Sequence, residues 1–144
     1  MSNKLSLIFL FLTFSTSLSA QNWEKDWATT TKKASAENKK IVLVFSGSDW
    51  CIPCIKLEKE IWENKNFIDY ANKSLVLYRA DFPKRKKNQL PTEKSNENNN
   101  LASLYNPKGY FPWVQVLSPD LDKLGTFIYE KKEVFDYIKL ITEF

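Results

Sequence analysis

The chain has 144 residues, a length that favours one domain, and its 43% hydrophobic and 15% aromatic content is sufficient for one packed core. Its formal net charge of +4 is mildly basic and lacks the clustered excess that indicates nucleic-acid binding. The sequence contains no histidine. This absence removes the commonest general base, the commonest metal ligand and any Cys–His nucleophilic pair.

Residues 1–20 have the layout of a secretory signal peptide. Lys4 precedes a largely apolar run, Leu5–Phe14, and small polar residues then lead to a cleavage position near Ala20. The apolar run is short for a membrane span, and an uncleaved anchor is the alternative. We therefore expect a mature domain over residues 21–144 that is periplasmic or secreted and works in an oxidising compartment.

Hydrophobic patterning predicts a chain of alternating helices and strands. Residues 22–39 are predicted to be helical, because Trp23, Trp27 and later residues recur at helical spacing. The apolar run Ile41–Phe45, mostly β-branched or aromatic, predicts a buried strand. The whole order of elements indicates a three-layer α/β plan. The later predicted elements are a helix after the cysteines, a short helix Phe67–Asn72, a strand Leu75–Ala80, a polar surface insertion 83–100 whose later half becomes a helix running to Tyr105, strands Trp113–Leu117 and Leu124–Tyr129, and a helix Lys131–Phe144.

Cys51 and Cys54 are the only cysteines in the sequence, and they stand where a predicted strand gives way to a helix. Without histidine or further cysteines they cannot complete a zinc site or an iron–sulfur cluster. Residue 55 is isoleucine, whereas covalent haem attachment requires histidine there. An inert disulfide would close a loop of four residues and would stabilise the fold little. Redox exchange is the interpretation that remains, with no metal and no other cofactor expected.

The predicted position of Cys51 at the start of a helix suits a nucleophile. Unpaired backbone N–H groups and the positive end of the helix dipole stabilise a thiolate, which is the attacking species. Pro53 falls in the first helical turn, where its missing N–H costs little. Cys51 is predicted to form a mixed disulfide that Cys54, one turn deeper and more buried, resolves. Trp50 is predicted to form an apolar wall beside the nucleophile, with an ordinary core or surface aromatic as the alternative.

A resemblance to the thioredoxin superfamily is carried by F-S-G-S-D-W-C-I-P-C-I-K-L-E and by the later segment G-Y-F-P. In particular, the chain resembles exported bacterial thioredoxin-like proteins with an extra N-terminal helix. The resemblance implies a three-layer α/β/α sandwich with a central mixed sheet, in which Cys51 is the nucleophile and Cys54 the resolving thiol. It also implies that Pro112 is a cis residue packed against the cysteines, and that the backbone of Phe111 pairs with an extended substrate segment. An ordinary trans proline at the start of a strand is the alternative.

Two positions depart from the family pattern. Phe45 stands where thioredoxins have a buried aspartate, and Lys59 stands where they have the proline that kinks the active-site helix. We therefore expect the proton of Cys54 to pass to water or to another group. Glu58, one helical turn after Cys54, is the candidate, and the alternative is a solvated salt-bridge residue. Arg79 stands where thioredoxins have a lysine near the active site.

The sequence favours a reductase of protein disulfides. Pro53 occupies the position where strongly oxidising relatives have histidine, so a more reducing couple is expected. The alternatives are a disulfide oxidase or isomerase, and a non-catalytic binding or chaperone module that uses the apolar loop Tyr110–Trp113. The expected partners are disulfide-bonded protein substrates and a membrane-bound electron donor, without nucleic acid, and the protein is expected to be a monomer. The basic run Lys84–Lys87 is interpreted as a solvated loop, with docking to an acidic partner or a membrane as the alternative.

Overall fold

The structure is a computed structural model that describes residues 21–144, so the predicted signal peptide lies outside the described residues. Within that range, no helix combines the length and the apolar character that crossing a membrane requires. The strands are β1 (Lys40–Ser46), β2 (Leu75–Asp81), β3 (Trp113–Leu117) and β4 (Lys123–Phe127). The helices are α1 (Trp27–Glu37), α2 (Ile52–Leu57), α3 (Lys65–Ser74), α4 (Thr92–Tyr105) and α5 (Val134–Glu143), with a π-helical turn at Glu58–Trp62 and a 3₁₀ turn at Lys86–Asn88.

The four strands form one mixed sheet in the order β2-β1-β3-β4. Strand β1 runs parallel to β2 and antiparallel to β3, and β3 runs antiparallel to β4. Residues 41–45 of β1 are at most 2% exposed, as expected for a strand covered on both faces. The mixed sheet and the central position of β1 confirm the prediction for this part of the fold.

Helices cover both faces of the sheet. Successive side chains of β1 point to opposite sides, and both sets are buried beneath helices. Val42 and Val44 pack into the core beneath α2, α3 and α5. Ile41, Leu43 and Phe45 pack into the other core, together with side chains from α1 and α4. The predicted three-layer α/β/α sandwich with an N-terminal helix is therefore confirmed.

The first helix begins later than predicted, at Trp27 instead of residue 22. Asp26 has extended backbone, and its carboxylate accepts a hydrogen bond from the N–H of Thr29 at 2.7 Å, which caps the helix there. Trp23 is also extended and forms an isolated parallel bridge with Leu77 at the outer edge of β2. Residues 22–39, which the spacing predicts to be one continuous helix, therefore consist of an extended segment followed by a shorter helix.

The polar stretch 83–100 is a surface insertion whose later part is helix α4, as predicted. A buried polar contact fixes this helix to the sheet. The hydroxyl of Tyr78 on β2 donates to the carboxylate of Glu97 and lies 3.0 Å from the side-chain oxygen of Asn98. Burial, the main cause, and the adjacent Glu97 carboxylate raise the pKa of Tyr78, so this hydroxyl remains a donor. The amide of Asn98 donates to the carbonyl of Asp81 at 3.0 Å and so ties α4 to the end of β2.

Candidate active site

The two cysteines lie at the junction between β1 and α2, at the carboxyl end of the central strand. Cys51 has extended backbone and is the N-cap residue of α2. Its sulfur accepts a hydrogen bond from the N–H of Cys54 at 3.3 Å, the position that a capping oxygen usually occupies. Pro53 lies at the second helical position, where no intrahelical donor is lost. The sulfur of Cys51 is thus placed at the positive end of the helix, where a thiolate is stabilised.

Cys51 and Cys54 form a disulfide, so the structure represents the oxidised state of the pair. The N–H of Gly47 donates to the sulfur of Cys54 at 3.5 Å. Both cysteines are 4% exposed, which differs from the expectation that Cys54 would be the more buried. Exposure therefore does not distinguish the two cysteines in the oxidised state. Ile52, between them, is 67% exposed and marks this end of the helix as accessible from solvent.

Trp50 lies beside the disulfide in a fixed orientation. Its indole N–H donates to the carbonyl of Phe82 at 2.8 Å, and its ring makes an edge-to-face contact with Phe111 at 5.5 Å between centroids. The ring also covers Gly47, where an added Cβ would approach it to 2.3 Å. With 36% of its surface exposed, Trp50 forms a wall at the site. Its edge-to-face and hydrogen-bonding contacts are those that orient a half-buried tryptophan.

The loop before β3 faces this wall. The Phe111–Pro112 peptide bond is cis, as the family resemblance implies. Pro112 is buried, whereas Tyr110 is 52% exposed. The side chain of Asn106 holds the loop, since its oxygen accepts from the N–H of Tyr110 at 3.1 Å and its amide donates to the carbonyl of Tyr110 at 2.8 Å. The backbone around Phe111 is therefore presented by a fixed loop.

Asp49 joins the cysteine turn to the polar insertion, a role that the sequence analysis missed. Its carboxylate accepts hydrogen bonds from the N–H groups of Lys84 and Arg85 and from the amide of Asn88, each at 2.9 Å. The Lys84 N–H, followed by the Asn88 amide, lowers the pKa of Asp49, because both donors stabilise the ionised carboxylate. An acid directly before W-C was visible in the sequence, but its partners lie 35 to 39 residues further along the chain.

Glu58, the candidate for proton transfer, lies one turn after Cys54 and donates its backbone N–H to the Cys54 carbonyl. Its carboxylate forms an ion pair with Arg79 of β2. The guanidinium of Arg79 also lies 4.2 Å from the ring centroid of Trp23, within the range of a cation–π contact. Both side chains of the ion pair remain about one-third exposed, so water reaches them. Phe45 is fully buried and carries no proton-exchanging group.

The active-site helix changes its winding at Glu58. The N–H of Glu63 donates to the carbonyl of Glu58 at 2.9 Å, a step of five residues instead of four. This π-helical turn includes Lys59, where thioredoxins have a kinking proline. Since lysine retains its backbone N–H, the interruption arises from the wider turn and not from a missing donor.

The fold and the paired cysteines identify the class of protein. A model of the thioredoxin-like family matches residues 22–119, and the chain belongs to this family. The disulfide bond reductase DsbH of Chlamydia pneumoniae is 34% identical over 88 residues, which cover 61% of this chain and 51% of DsbH. The thioredoxin-related protein DsbJ of Chlamydia pneumoniae is 28% identical over 89 residues, which cover 57% of this chain and 26% of DsbJ. The chain thus spans about half or less of the length of these relatives.

A solved structure of a DsbH oxidoreductase is also similar to this chain. The two superpose with a TM-score of 0.78 at 26% sequence identity, and the match covers 92% of this chain and 90% of the other. The likeness therefore extends well beyond the region around the cysteines. It supports the fold assignment over almost the whole described chain.

Proposed function

We propose that this protein is a thiol-disulfide oxidoreductase that reduces disulfide bonds in protein substrates outside the cytoplasm. The observation that carries the proposal is the Cys51–Cys54 disulfide at a helix N-terminus, next to the cis-proline loop. The name of the relative DsbH, a disulfide bond reductase, supports the same direction of exchange. Pro53, in place of a histidine between the cysteines, favours a reducing couple as well.

In the proposed reaction the reduced protein transfers two electrons to the substrate. The Cys51 thiolate attacks one sulfur of the substrate disulfide, forms a mixed disulfide and releases the other substrate sulfur as a thiolate that takes up a proton. Cys54 then loses its proton and attacks the sulfur of Cys51. This second step forms the Cys51–Cys54 bond and releases the second substrate thiol. The cap position favours Cys51 as the attacking thiolate, because the hydrogen bond from the Cys54 N–H stabilises its negative charge.

The remaining site residues have supporting roles in this proposal. Trp50 and Pro53 form the surface that meets the substrate, and Phe111 offers backbone groups next to Pro112 for pairing with an extended substrate segment. Glu58, through water, accepts the proton of Cys54. A membrane-bound donor returns the electrons, and the protein acts as a monomer in the periplasm or as a secreted protein after removal of residues 1–20.

Trapping of the mixed disulfide tests the assignment of the two thiols. Reduced Cys54→Ser protein incubated with a disulfide-bonded protein is expected to accumulate a covalent complex on a non-reducing gel, because no thiol remains to resolve it. Cys51→Ser protein is expected to form none. A complex with Cys51→Ser in place of Cys54→Ser would reverse the two roles, and full biological activity of Cys51→Ser would favour a binding module over any redox function.

The reduction potential of the pair tests the direction of exchange. Equilibration of the protein across a thiol/disulfide buffer series, followed by tryptophan fluorescence, is expected to give a value near about −270 mV, as in thioredoxin. A value near about −120 mV would instead identify an oxidant. That result would replace the reductase proposal by the oxidase alternative and would leave the thiol chemistry unchanged.

A further inference from the structure

A groove lies directly beside Trp50, on the side of the polar insertion. Its volume is about 390 Å³. Five of its lining residues are apolar, contributed by three separate parts of the chain: the cysteine turn, the segment that runs from the end of β2 into the insertion, and the cis-proline loop. These residues are Trp50, Phe82, Pro83, Leu90 and Phe111.

The groove is built before any substrate arrives. Phe111 makes edge-to-face contacts with Trp50 at 5.5 Å and with Phe82 at 5.4 Å, so the three rings hold one another. The carboxylate of Asp49 binds the backbone of the insertion, and Gln89 donates to the carbonyl of Pro83 at 3.1 Å. Binding in this groove therefore requires little ordering of the insertion.

The lining of the groove carries one positive and one negative side chain, and the adjoining basic run of the insertion makes its surroundings positive on balance. Lys84 lines it and places its ammonium group 3.9 Å from the ring centroid of Trp50. Asp81 is the one acid among the described lining residues, and both oxygens of its carboxylate already accept hydrogen bonds from Ser48, at 2.9 and 2.6 Å. Arg85 and the two lysines that follow it add further positive charge along the exposed insertion.

We propose that this groove binds the polypeptide segment next to the reacting cysteine of a substrate and selects segments that carry acidic side chains. The inference rests on the proposed oxidoreductase function and adds a substrate class to it. Apolar walls bind the body of an extended segment, while Lys84 and the basic run that follows it attract its carboxylates. The position of the groove beside the disulfide favours a substrate chain as the occupant over an anionic membrane.

Three synthetic peptides test the selection. Each contains one cysteine joined by a disulfide to an aromatic thiol, and the residues on both sides of the cysteine are glutamate, glutamine or lysine. Attack by Cys51 on the peptide sulfur releases the coloured aromatic thiolate and leaves the peptide on Cys51, so the rate of release reports occupation of the site. At low salt, the glutamate peptide is expected to react about three- to fivefold faster than the glutamine peptide, and the lysine peptide more slowly than both. The difference should shrink as salt is raised, because exposed charges are then screened.

Paired variants locate the effect. In Lys84→Gln/Arg85→Gln protein the ratio of glutamate to glutamine rates is expected to fall toward one. This ratio is insensitive to any general loss of activity. The control Lys73→Gln/Lys139→Gln removes the same charge from exposed positions on α3 and α5, on the other face of the sheet, and should retain the ratio. Equal loss of the ratio in both variants would assign it to net charge and overturn the proposal.

Other outcomes separate this inference from the function on which it rests. Release of the aromatic thiolate from all three peptides at equal rates would overturn the selection and leave the oxidoreductase proposal intact. Absence of release from every peptide by the reduced protein would overturn the function itself. Sedimentation of the protein with phosphatidylglycerol vesicles through Lys84 and Arg85, without discrimination among peptides, would assign the basic run to a membrane surface instead.

Discussion

At the scale of single residues, Phe45 and Glu58 bear on where the proton of Cys54 goes in the proposed reaction. Phe45 lies on β1, six residues before Cys51, and its buried ring can neither take up nor release a proton. Glu58 lies one turn beyond Cys54. Its side chain forms an ion pair with Arg79 and is 31% exposed to water. In the reaction that we propose, a proton leaving Cys54 passes to water, and Glu58 is the carboxylate of the same helix that is proposed to accept it.

Substitution Glu58→Gln tests this role, because it removes the proton acceptor and keeps the shape of the side chain. The rate at which Cys54 resolves a mixed disulfide at pH 7 is expected to fall about tenfold. Stopped-flow measurement of resolution at pH 7 checks this effect. Glu63→Gln, an exposed change at the end of the same helical turn, is the matched control, and an unaltered rate in Glu58→Gln would reduce Glu58 to a salt-bridge residue.

At the scale of elements, the insertion depends on Asp49 for its first turn. Lys84, Arg85 and Asn88 all donate to one carboxylate. The same residue precedes the Trp50–Cys51 pair, so the shape of the insertion and the geometry of the cysteine turn share one anchor. Loss of the Asp49 carboxylate should consequently affect the insertion and its groove more than the central sheet.

Substitution Asp49→Asn is expected to loosen the insertion without unfolding the sheet. The amide N–H groups of Lys84 and Arg85 should exchange with solvent several-fold faster, because the charged acceptor is lost. Asp120→Asn, in an exposed turn between β3 and β4, is the control. Unchanged exchange at both amides would show that other contacts suffice to hold the insertion.

The wild-type protein should show the same anchor in its pH dependence. The pKa of Asp49 is lowered from its ordinary value of 3.8 in the folded state. Its contribution to stability is therefore fully present above that value and is lost as the pH falls through the lowered folded pKa. Titration of the Lys84 and Arg85 amide signals by NMR should place their transition below pH 3.8.

At the scale of the whole molecule, the N-terminal segment connects the sheet edge to the helices of one layer. Trp23 pairs with Leu77 through its backbone, and its ring lies edge-on to Trp62 at 6.3 Å between centroids. The Arg79 guanidinium lies over the same ring and forms an ion pair with Glu58 at the end of α2. One side chain thus links the start of the described chain, the edge strand and the active-site helix.

Substitution Trp23→Ala is expected to lower the free energy of unfolding by about 1–3 kcal/mol, because a half-buried ring and its contacts are lost. A double-mutant cycle with Arg79→Met should give a coupling of about 0.5–1 kcal/mol for the cation–π contact. Urea denaturation of the four proteins measures both quantities. The control Phe135→Ala removes a ring that is 64% exposed and should change stability by less than about 0.5 kcal/mol. Strict additivity would show that the two side chains act independently.

Local pattern was sufficient to predict β1, because five consecutive apolar residues leave few alternatives. It was also sufficient to predict the helix that follows the cysteines. The family resemblance supplied the cis bond before Pro112, which residue types alone do not indicate. The start of α1 could not be placed, because Trp23 fits the helical spacing but is held in extended form by a strand 54 residues away. The partners of Asp49 were hidden for the same reason, since they depend on how a polar insertion folds back. Contacts distant in sequence thus limited the prediction at both places.

The π-helical turn changes which side chains of the helix face the core. In a regular α-helix, Leu57 and Trp62 would be separated by about 140° of rotation and could not both face the same core. The wider turn brings residues five apart onto one side, and each of these two side chains is 1% exposed. The number of residues between Cys54 and Trp62 therefore matters as well as their identity. Loss of a single residue there would restore an ordinary helix and rotate everything beyond it, so a deletion in this turn would move buried side chains that a substitution on the exposed side leaves in place.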